Sequence, residues 1–400
     1  MTGRERVVAS LGHRQPEGLA IDFGGMRSTG IHVLAYAELV KHLGLQIGPP
    51  KMYDVFQQLA EPQMEVLDRL GGDVVQAHMR CPSFGIPIDE GWRTIQMRGH
   101  EVQVPMGYRP VREENGNEYL VKDGVKCGRR PDSGLYFDQV VHPYAHCLSQ
   151  ADIDSIPLEP LSEKDIVFLV EEAGQLFHGT DKAVLLSFGG SILESGQNDF
   201  GYETFFMNLL TEPDMMHYYF NRLADNHMKN LRTLMPLLKD YIQVIQFGDD
   251  LGTQLAPQIS LKTYREMIKP YHKRQYQFVR EHYPQCKVFL HSCGAIEPLI
   301  PDLIDASVEV LNPVQISAAG MNPARLKKEY GSVLSFWGGG SNTPQTMTYG
   351  SAADCRKETK ELIDIFSPGG GFVFTQVHNI QFGIPVENIL AVYDTARTYR

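Results

Sequence analysis

Short apolar segments alternate with helical patterns along most of the chain. Residues 19–23 form the first apolar segment, and residues 73–78 form the second, after a helical pattern at 53–70. Helical stretches, such as 203–235 and 260–283, separate the later ones. These later apolar segments are 183–188, 242–247, 287–291, 308–312, 333–337 and 372–377. Alternating strand and helix predicts an α/β fold with parallel pairing. Eight strands suit a TIM (β/α)8 barrel, and periodicity alone leaves an open doubly wound sheet as the alternative.

Residues 85–140 interrupt this alternation. They contain period-2 segments separated by Asn115-Gly116 and Asp123-Gly124, which predict antiparallel β-hairpins. Nothing around the segment resembles a linker. We therefore interpret it as an insertion after the second strand, within a single domain of residues 1–400.

Composition narrows the class of protein. The 400 residues are 42% hydrophobic and 21% charged, as in an ordinary globular protein, and six cysteines without a short repeating framework predict no disulfides. A balance of 37 basic and 48 acidic residues argues against a nucleic-acid partner. No run of about 18 apolar residues occurs and the amino terminus lacks a secretory signal, so we expect a cytoplasmic protein without a membrane partner. Its oligomeric state stays open.

Polar side chains follow one predicted strand after another. In a parallel α/β fold the carboxyl ends of the strands form one face, which carries the active site. We call the residues directly after the strands the rim. Those chosen as candidate substrate-binding residues are Asp22, His78, Arg80, Trp337 and Asn379.

The sharpest local signal is His291-Ser292-Cys293 at the end of the fifth strand. Side chains two apart in an extended segment point the same way, and imidazole and thiolate are both good zinc ligands. His378, after the last strand, is the natural third ligand, and Glu194 is a candidate for a fourth, displaceable one. The tripeptide alone favours a buried histidine beside a small cysteine. Because polar residues also follow the other predicted strands, we favour a metal site over simple packing.

Two further rim segments carry candidate chemistry. Asp249 and Asp250 are candidate catalytic residues, as a general base, a support for the metal or a substrate anchor; helix capping is the alternative. We expect one of them to be functional and the other structural. The glycine-rich segment 337–341 could cradle a phosphate or simply leave room for the backbone near a ligand.

From about residue 183 to the carboxyl terminus, the chain resembles the uroporphyrinogen decarboxylase (URO-D) superfamily, which includes zinc-dependent methyltransferases linked to cobalamin. Four segments carry the resemblance. They are 245–250 followed by Tyr264 and 269–271, the His-x-Cys segment 288–294, the glycine-rich 337–341, and the closing Pro-x-Glu-Asn signature within 380–388. The family's fold implies the TIM barrel rather than the open sheet.

The resemblance is closer to the methyltransferase branch than to true decarboxylases. The arginine-rich motif of the decarboxylase branch is reduced to Arg27, and no aspartate follows the second strand, where 76–80 reads Gln-Ala-His-Met-Arg. Where the zinc methyltransferases place a second cysteine, this chain has His378. Two histidines and one thiolate make a less negative ligand set than one histidine and two thiolates, so the metal would be a stronger Lewis acid.

The resemblance implies a zinc-dependent methyltransferase that moves a methyl group between a small molecule and a corrinoid (cobalamin) protein. Zn²⁺ would be held by His291, Cys293 and His378, and the corrinoid would be supplied by the partner. A metal-independent decarboxylase or lyase using Asp249, Arg80 and His378 is the alternative. A binding protein on a degenerate barrel is the third hypothesis.

Overall fold

The computed structural model describes residues 1–399. Its strands, in chain order, are β1 (Met52–Asp54), β2 (Leu59–Ala60), β3 (Val74–Ala77), β4 (Trp92–Met97), β5 (His100–Pro105), β6 (Val111–Arg112), β7 (Glu118–Lys122), β8 (Val125–Arg130), β9 (Asp138–Gln139), β10 (Ala183–Gly189), β11 (Val244–Gly248), β12 (Lys287–His291), β13 (Val310–Asn312), β14 (Ser335–Trp337) and β15 (Phe372–Val373).

Helices connect these strands and cover the sheet. The α-helices are α1 (Gly3–Leu11), α2 (Val33–Leu43), α3 (Met64–Leu70), α4 (Gln150–Asp154), α5 (Glu163–Gly179), α6 (Leu193–Phe200), α7 (Tyr202–Thr211), α8 (Pro213–Leu238), α9 (Leu261–Thr263), α10 (Lys269–His282), α11 (Ile300–Asp305), α12 (Pro323–Tyr330), α13 (Ala352–Phe366) and α14 (Val386–Thr398). Across residues 1–399, none of the helices is both long and apolar enough to cross a membrane.

A parallel sheet of seven strands forms the centre of the molecule. Its order is β15-β14-β13-β12-β11-β10-β3, and each neighbouring pair is parallel. The predicted parallel pairing is therefore confirmed. All seven carboxyl ends point to one edge, so the residues that follow them share one face.

The first predicted strand, residues 19–23, is reduced to a single bridge. Ile21 pairs in parallel with Phe374, just beyond β15. Ile21 also reaches the opposite edge of the sheet, because its carbonyl oxygen accepts the Asp73 N–H (2.7 Å) just before β3. Seven of the eight predicted strands are thus present as strands, and the eighth contacts both edges as a short extended segment.

Apolar side chains from successive strands fill the space inside the curved sheet. They are Val74, Ala183, Leu185, Val244, Phe289, Val310, Trp337 and Val373, joined by Ala20, Met26, Val7 and Leu11. Val7 and Leu11 belong to α1, whose Ser10 carbonyl accepts the Gly371 N–H (2.7 Å) at the start of β15. Because α1 packs at the amino ends, the carboxyl ends remain for the functional site.

Antiparallel strands lie between β3 and β10. β4 pairs with β5, and β6 to β9 form a second antiparallel sheet. Asp123 and Gly124 join β7 to β8 with φ of 51° and 79°, the left-handed conformation of a type I′ turn.

Two helix predictions differ from the structure. The pattern at 53–70 predicts one helix, but only α3 is helical, and β1 and β2 precede it as an antiparallel pair. Pro62 disfavours helix for the residue before it, and Asp54 instead accepts the N–H groups of Phe56 (2.7 Å) and Gln57 (3.2 Å) in a turn. The predicted helix at 203–235 is divided into α7 and α8, and Pro213 begins α8.

Candidate functional site

The three predicted metal ligands lie together at the carboxyl edge of the sheet. His291 ends β12, Cys293 follows two residues later, and His378 lies after β15. One ligand atom from each side chain lies within 4.8 Å of the other two. All three residues are partly buried. We call them the His–Cys–His group.

The donor atoms of this group fit a zinc ion. Two imidazoles and one thiol are a ligand set that zinc accepts. His291 Nε2 and Cys293 Sγ are 3.5 Å apart. A nitrogen and a sulfur ligand bonded to one tetrahedral zinc at about 2.1 and 2.3 Å would be about 3.6 Å apart. These two atoms are therefore already at the separation that zinc requires.

His378 is held in an unusual backbone conformation. Its φ of 59° lies in the left-handed region, and its carbonyl oxygen accepts a hydrogen bond from Gln376 Nε2 (3.0 Å). Burial, together with the nearby His291, lowers the pKa of His378 to about 4. The imidazole is therefore neutral near pH 7, and a lone pair is available to a metal.

Asp249 contacts the start of a helix rather than the His–Cys–His group. Its carboxylate accepts the N–H groups of Ile192 (3.0 Å), Leu193 (2.8 Å) and Glu194 (2.8 Å) at the beginning of α6. His272 Nε2 lies 2.7 Å from the same carboxylate, and Asp249 is fully buried. The contacts therefore indicate a capping role. The helix that Asp249 caps is α6, which follows the neighbouring strand β10. It is not the next helix in the chain after Asp249.

Asp250 borders the His–Cys–His group directly. Its Oδ1 accepts the Cys293 N–H (2.8 Å) and lies 3.6 Å from His291 Nε2, and its side chain is 34% exposed. Of the two candidate catalytic aspartates, Asp250 is thus the one with access to a bound molecule.

Acidic side chains lie beside the His–Cys–His group. Burial raises the pKa of Glu194, and the carboxylates of Asp250 and Asp249 raise it further. Burial also raises the pKa of the Cys293 thiol, as do the charges of Asp250 and Glu194. A bound cation would stabilise the ionised forms of these groups, so the electrostatics of the site favour cation binding.

Two candidate substrate-binding residues, Asp22 and Trp337, lie in the interior instead. Both are fully buried, and Trp337 Nε1 donates to Asp22 Oδ2 (2.8 Å). The Asp22 carboxylate also accepts the Thr29 hydroxyl (2.8 Å) and the Gly25 N–H (2.7 Å). These contacts join the first bridged segment to β14, and they leave neither side chain on the open face.

The burial of Asp22 predicts a stability that depends on pH. Desolvation raises its pKa from 3.8 to about 6, although three hydrogen bonds act in the opposite direction. Between these values the unfolded chain releases the proton and the folded chain keeps it, so the free energy of unfolding should fall as pH rises from about 4 to about 6. The total is about 3 kcal/mol for a pKa difference of about two. Urea unfolding at several pH values should show this fall in unfolding free energy in the wild type and not in Asp22→Asn. The same pH profile in both proteins would contradict the prediction.

The other three candidate substrate-binding residues are paired with protein groups. His78 Nδ1 lies 2.9 Å from Glu172, and Arg80 binds Asp165 (2.7 Å) and Asp89 (3.1 Å). Asn379 accepts the Gly30 N–H (2.7 Å) through Oδ1 and donates to Gln57 (2.7 Å) through Nδ2. These contacts hold the three side chains against neighbouring protein groups.

The glycine-rich segment 337–341 provides close backbone packing. The N–H groups of Gly338 and Gly340 donate to the carbonyls of Val373 (3.1 Å) and Thr375 (2.9 Å), so they are not free for a phosphate. A Cβ atom on Gly338 would lie 2.2 Å from the Pro313 carbonyl oxygen. The structure therefore favours the second interpretation of this segment, close backbone packing, over a phosphate cradle.

Arg27 is a rim residue that sequence reasoning did not select. Its Nε lies 2.5 Å from Asp54, and its guanidinium carbon lies 4.9 Å above the Phe56 ring. The side chain is 39% exposed, and its charge lowers the pKa of both His378 and Glu194. Its position after the first predicted strand was the available signal, but an isolated arginine is a weak one.

The parallel sheet and a group of metal-ligating side chains at its carboxyl edge define an α/β protein with a candidate metal centre. The chain belongs to the family described as uroporphyrinogen decarboxylase (URO-D), which matches residues 145–399. The predicted membership of this superfamily is confirmed.

Three known proteins show how far the likeness extends. Uroporphyrinogen decarboxylases of two Prochlorococcus marinus strains, NATL2A and NATL1A, are 27% identical over 183 residues and 26% identical over 178 residues. These matches cover 42% and 41% of this chain, and the chain spans about half the length of these relatives (49% and 48%). A methyltransferase from Methanosarcina mazei has a similar fold, with a TM-score of 0.60, 14% identity, and coverage of 99% of this chain and 98% of that one.

Proposed function

We propose that this chain is a zinc-dependent methyltransferase that moves a methyl group between a small molecule and a corrinoid protein. The observation that carries the proposal is the convergence of His291, Cys293 and His378 at the carboxyl edge of the sheet. The similar fold of the Methanosarcina mazei methyltransferase supports it. We further propose that residues 1–400 form one domain whose sheet closes into a TIM barrel through residues 19–23, with 85–140 as an insertion.

In this proposal each rim residue has one task. His291, Cys293 and His378 would hold the zinc ion, which as a Lewis acid would lower the pKa of a bound thiol or oxygen or improve it as a leaving group. Asp250, which is partly exposed beside Cys293, accepts or returns the proton of the bound thiol or hydroxyl group. Arg27 binds an anionic end of the small molecule, since its guanidinium is exposed beyond the Asp54 contact. Asp249 fixes the start of α6 and thereby the backbone of Glu194, which stays a candidate fourth ligand.

The corrinoid would be brought by a separate protein that docks over the rim. Two exposed apolar side chains, Tyr202 (62%) and Leu255 (82%), follow β10 and β11 and could contact such a partner. Partial burial raises the pKa of Tyr202, and the charges of Glu194 and Asp250 raise it further.

Metal content and methyl transfer test the proposal together. The purified chain should hold about one zinc, and with methylcobalamin and a small thiol it should convert the methylcobalamin absorption spectrum to that of demethylated cobalamin. A chain that holds clearly less zinc, and does not regain it from added zinc, would exclude this function. Consumption of uroporphyrinogen by the metal-free chain would instead support the decarboxylase alternative, which the names of the Prochlorococcus relatives suggest.

A further inference from the structure

Asn312 connects the candidate metal ligand His291 to the next strand. It ends β13, lies opposite His291 in the parallel register, and is fully buried. Its Oδ1 lies 2.6 Å from His291 Nδ1, and its Nδ2 donates to the Trp337 carbonyl oxygen (2.7 Å) on β14. One amide therefore joins three adjacent strands at their carboxyl ends.

The contact with Trp337 determines which way the Asn312 amide points. A carbonyl oxygen only accepts hydrogen bonds, so the NH₂ group must face Trp337 and the amide oxygen must face His291. The amide oxygen also only accepts, so His291 Nδ1 must carry the hydrogen between them. In neutral imidazole the lone pair is then on Nε2.

His291 Nε2 is the ring atom that faces the rest of the candidate site. It lies 3.5 Å from Cys293 Sγ and 3.6 Å from Asp250 Oδ1. The opposite tautomer would place a hydrogen on this atom and leave two acceptors, Nδ1 and the Asn312 oxygen, in contact. The buried amide thus selects the form of His291 that can bind a cation.

The carbonyl that orients Asn312 is itself firmly placed. The Trp337 indole donates to the buried Asp22 carboxylate and packs edge-on against Phe289, with ring centroids 5.4 Å apart. Glycine at 338 permits the next peptide to approach Pro313, which directly follows Asn312. Asn312 therefore has little freedom to reorient.

We propose that Asn312 is a positioning residue that fixes the His291 tautomer and ring orientation required for metal binding. The proposal rests on the proposed zinc function and assigns a task to a residue that does not itself bind the metal. Hydrogen-bond partners of metal-bound histidines typically change metal affinity about 10- to 100-fold when they are removed.

Titration of the metal-free chain with Zn²⁺ against a chromophoric chelator tests this. Asn312→Leu removes both amide contacts at similar size, and its zinc affinity should fall roughly 10- to 100-fold. Asn312→Asp keeps an acceptor for His291 but loses the donor to Trp337, so it should be less stable while its zinc affinity stays within a few-fold of wild type. A matched control is Asn388→Leu, because Asn388 is also buried and donates to two carbonyls (3.0 and 2.9 Å) on residues outside the site. It should lose stability and keep zinc affinity.

The outcomes separate this inference from the proposed function. Wild-type affinity in Asn312→Leu, or equal losses in Asn312→Leu and Asn312→Asp, would overturn the positioning role and leave the zinc function intact. A wild-type chain without zinc affinity would overturn both. If Asn312→Leu does not fold, the tautomer of His291 can be read directly from long-range ¹H–¹⁵N spectra of the histidine rings in the metal-free wild type. The ring signal that disappears in His291→Gln should be the Nδ1–H tautomer, and an Nε2–H tautomer would refute the proposal.

Discussion

Replacement of Cys293 by alanine is expected to weaken zinc binding about a hundredfold or more while the chain remains folded. The thiolate is the only anionic ligand of the His–Cys–His group, so its loss removes both a donor atom and the charge that balances the cation. We expect a loss of roughly 3 kcal/mol or more, about a hundredfold in affinity, from a zinc-binding free energy of about 10–16 kcal/mol. Elemental analysis and chelator competition on the purified variant measure it.

Cys81→Ala is the matched control for this substitution. Cys81 is also partly buried and follows a strand of the sheet, β3, but it lies outside the His–Cys–His group. Its variant should retain the zinc of the wild type. Without metal, Cys293→Ala should unfold within about 1 kcal/mol of wild type, because a small, partly exposed group is removed. Collapse of the fold would show that the site is structural, and retained zinc would show that Cys293 is not a ligand.

Asp249→Ala is expected to lower the free energy of unfolding by about 3–5 kcal/mol, because several buried polar groups lose their acceptor at a cost of about 1–3 kcal/mol each. The variant leaves three N–H groups at the start of α6 and the ring of His272 without their acceptor. Burial of unpaired polar groups is the source of the cost. Urea unfolding followed by far-UV circular dichroism measures it.

Asp250→Ala provides the comparison, one residue further along the same loop. Its carboxylate is 34% exposed and accepts a single backbone N–H, from Cys293. We expect its unfolding free energy to change by about 1 kcal/mol or less, and its methyl transfer to fall more than that of any variant with intact metal ligands. A stable but inactive Asp249→Ala would instead assign the catalytic task to Asp249.

The strands and the grouping of His291, Cys293 and His378 were accessible from the sequence because their signals are local. The run 287–291 has three apolar residues in its centre, and β12 covers the same residues. His291 and Cys293 are two residues apart in one extended segment, and His378 follows another strand, so parallel pairing alone brings them to one edge.

The roles of the aspartates were not accessible, because contacts between distant residues decide them. Asp249 accepts N–H groups more than fifty residues earlier in the chain, and Asp22 accepts the indole N–H of Trp337, 315 residues later. Both lie at strand ends, as a catalytic carboxylate would. Only burial and hydrogen-bond partners distinguish a carboxylate that supports the site from one that faces its substrate.

The contact between Trp337 and Asp22 also gives the protein an internal optical probe. Trp337 is one of two tryptophans, and its indole N–H donates to a carboxylate whose pKa burial raises to about 6. Ionisation of Asp22 changes the electric field at the indole ring. The emission and near-ultraviolet dichroism of Trp337 therefore report, without any label, the charge state inside the sheet beneath the candidate metal centre.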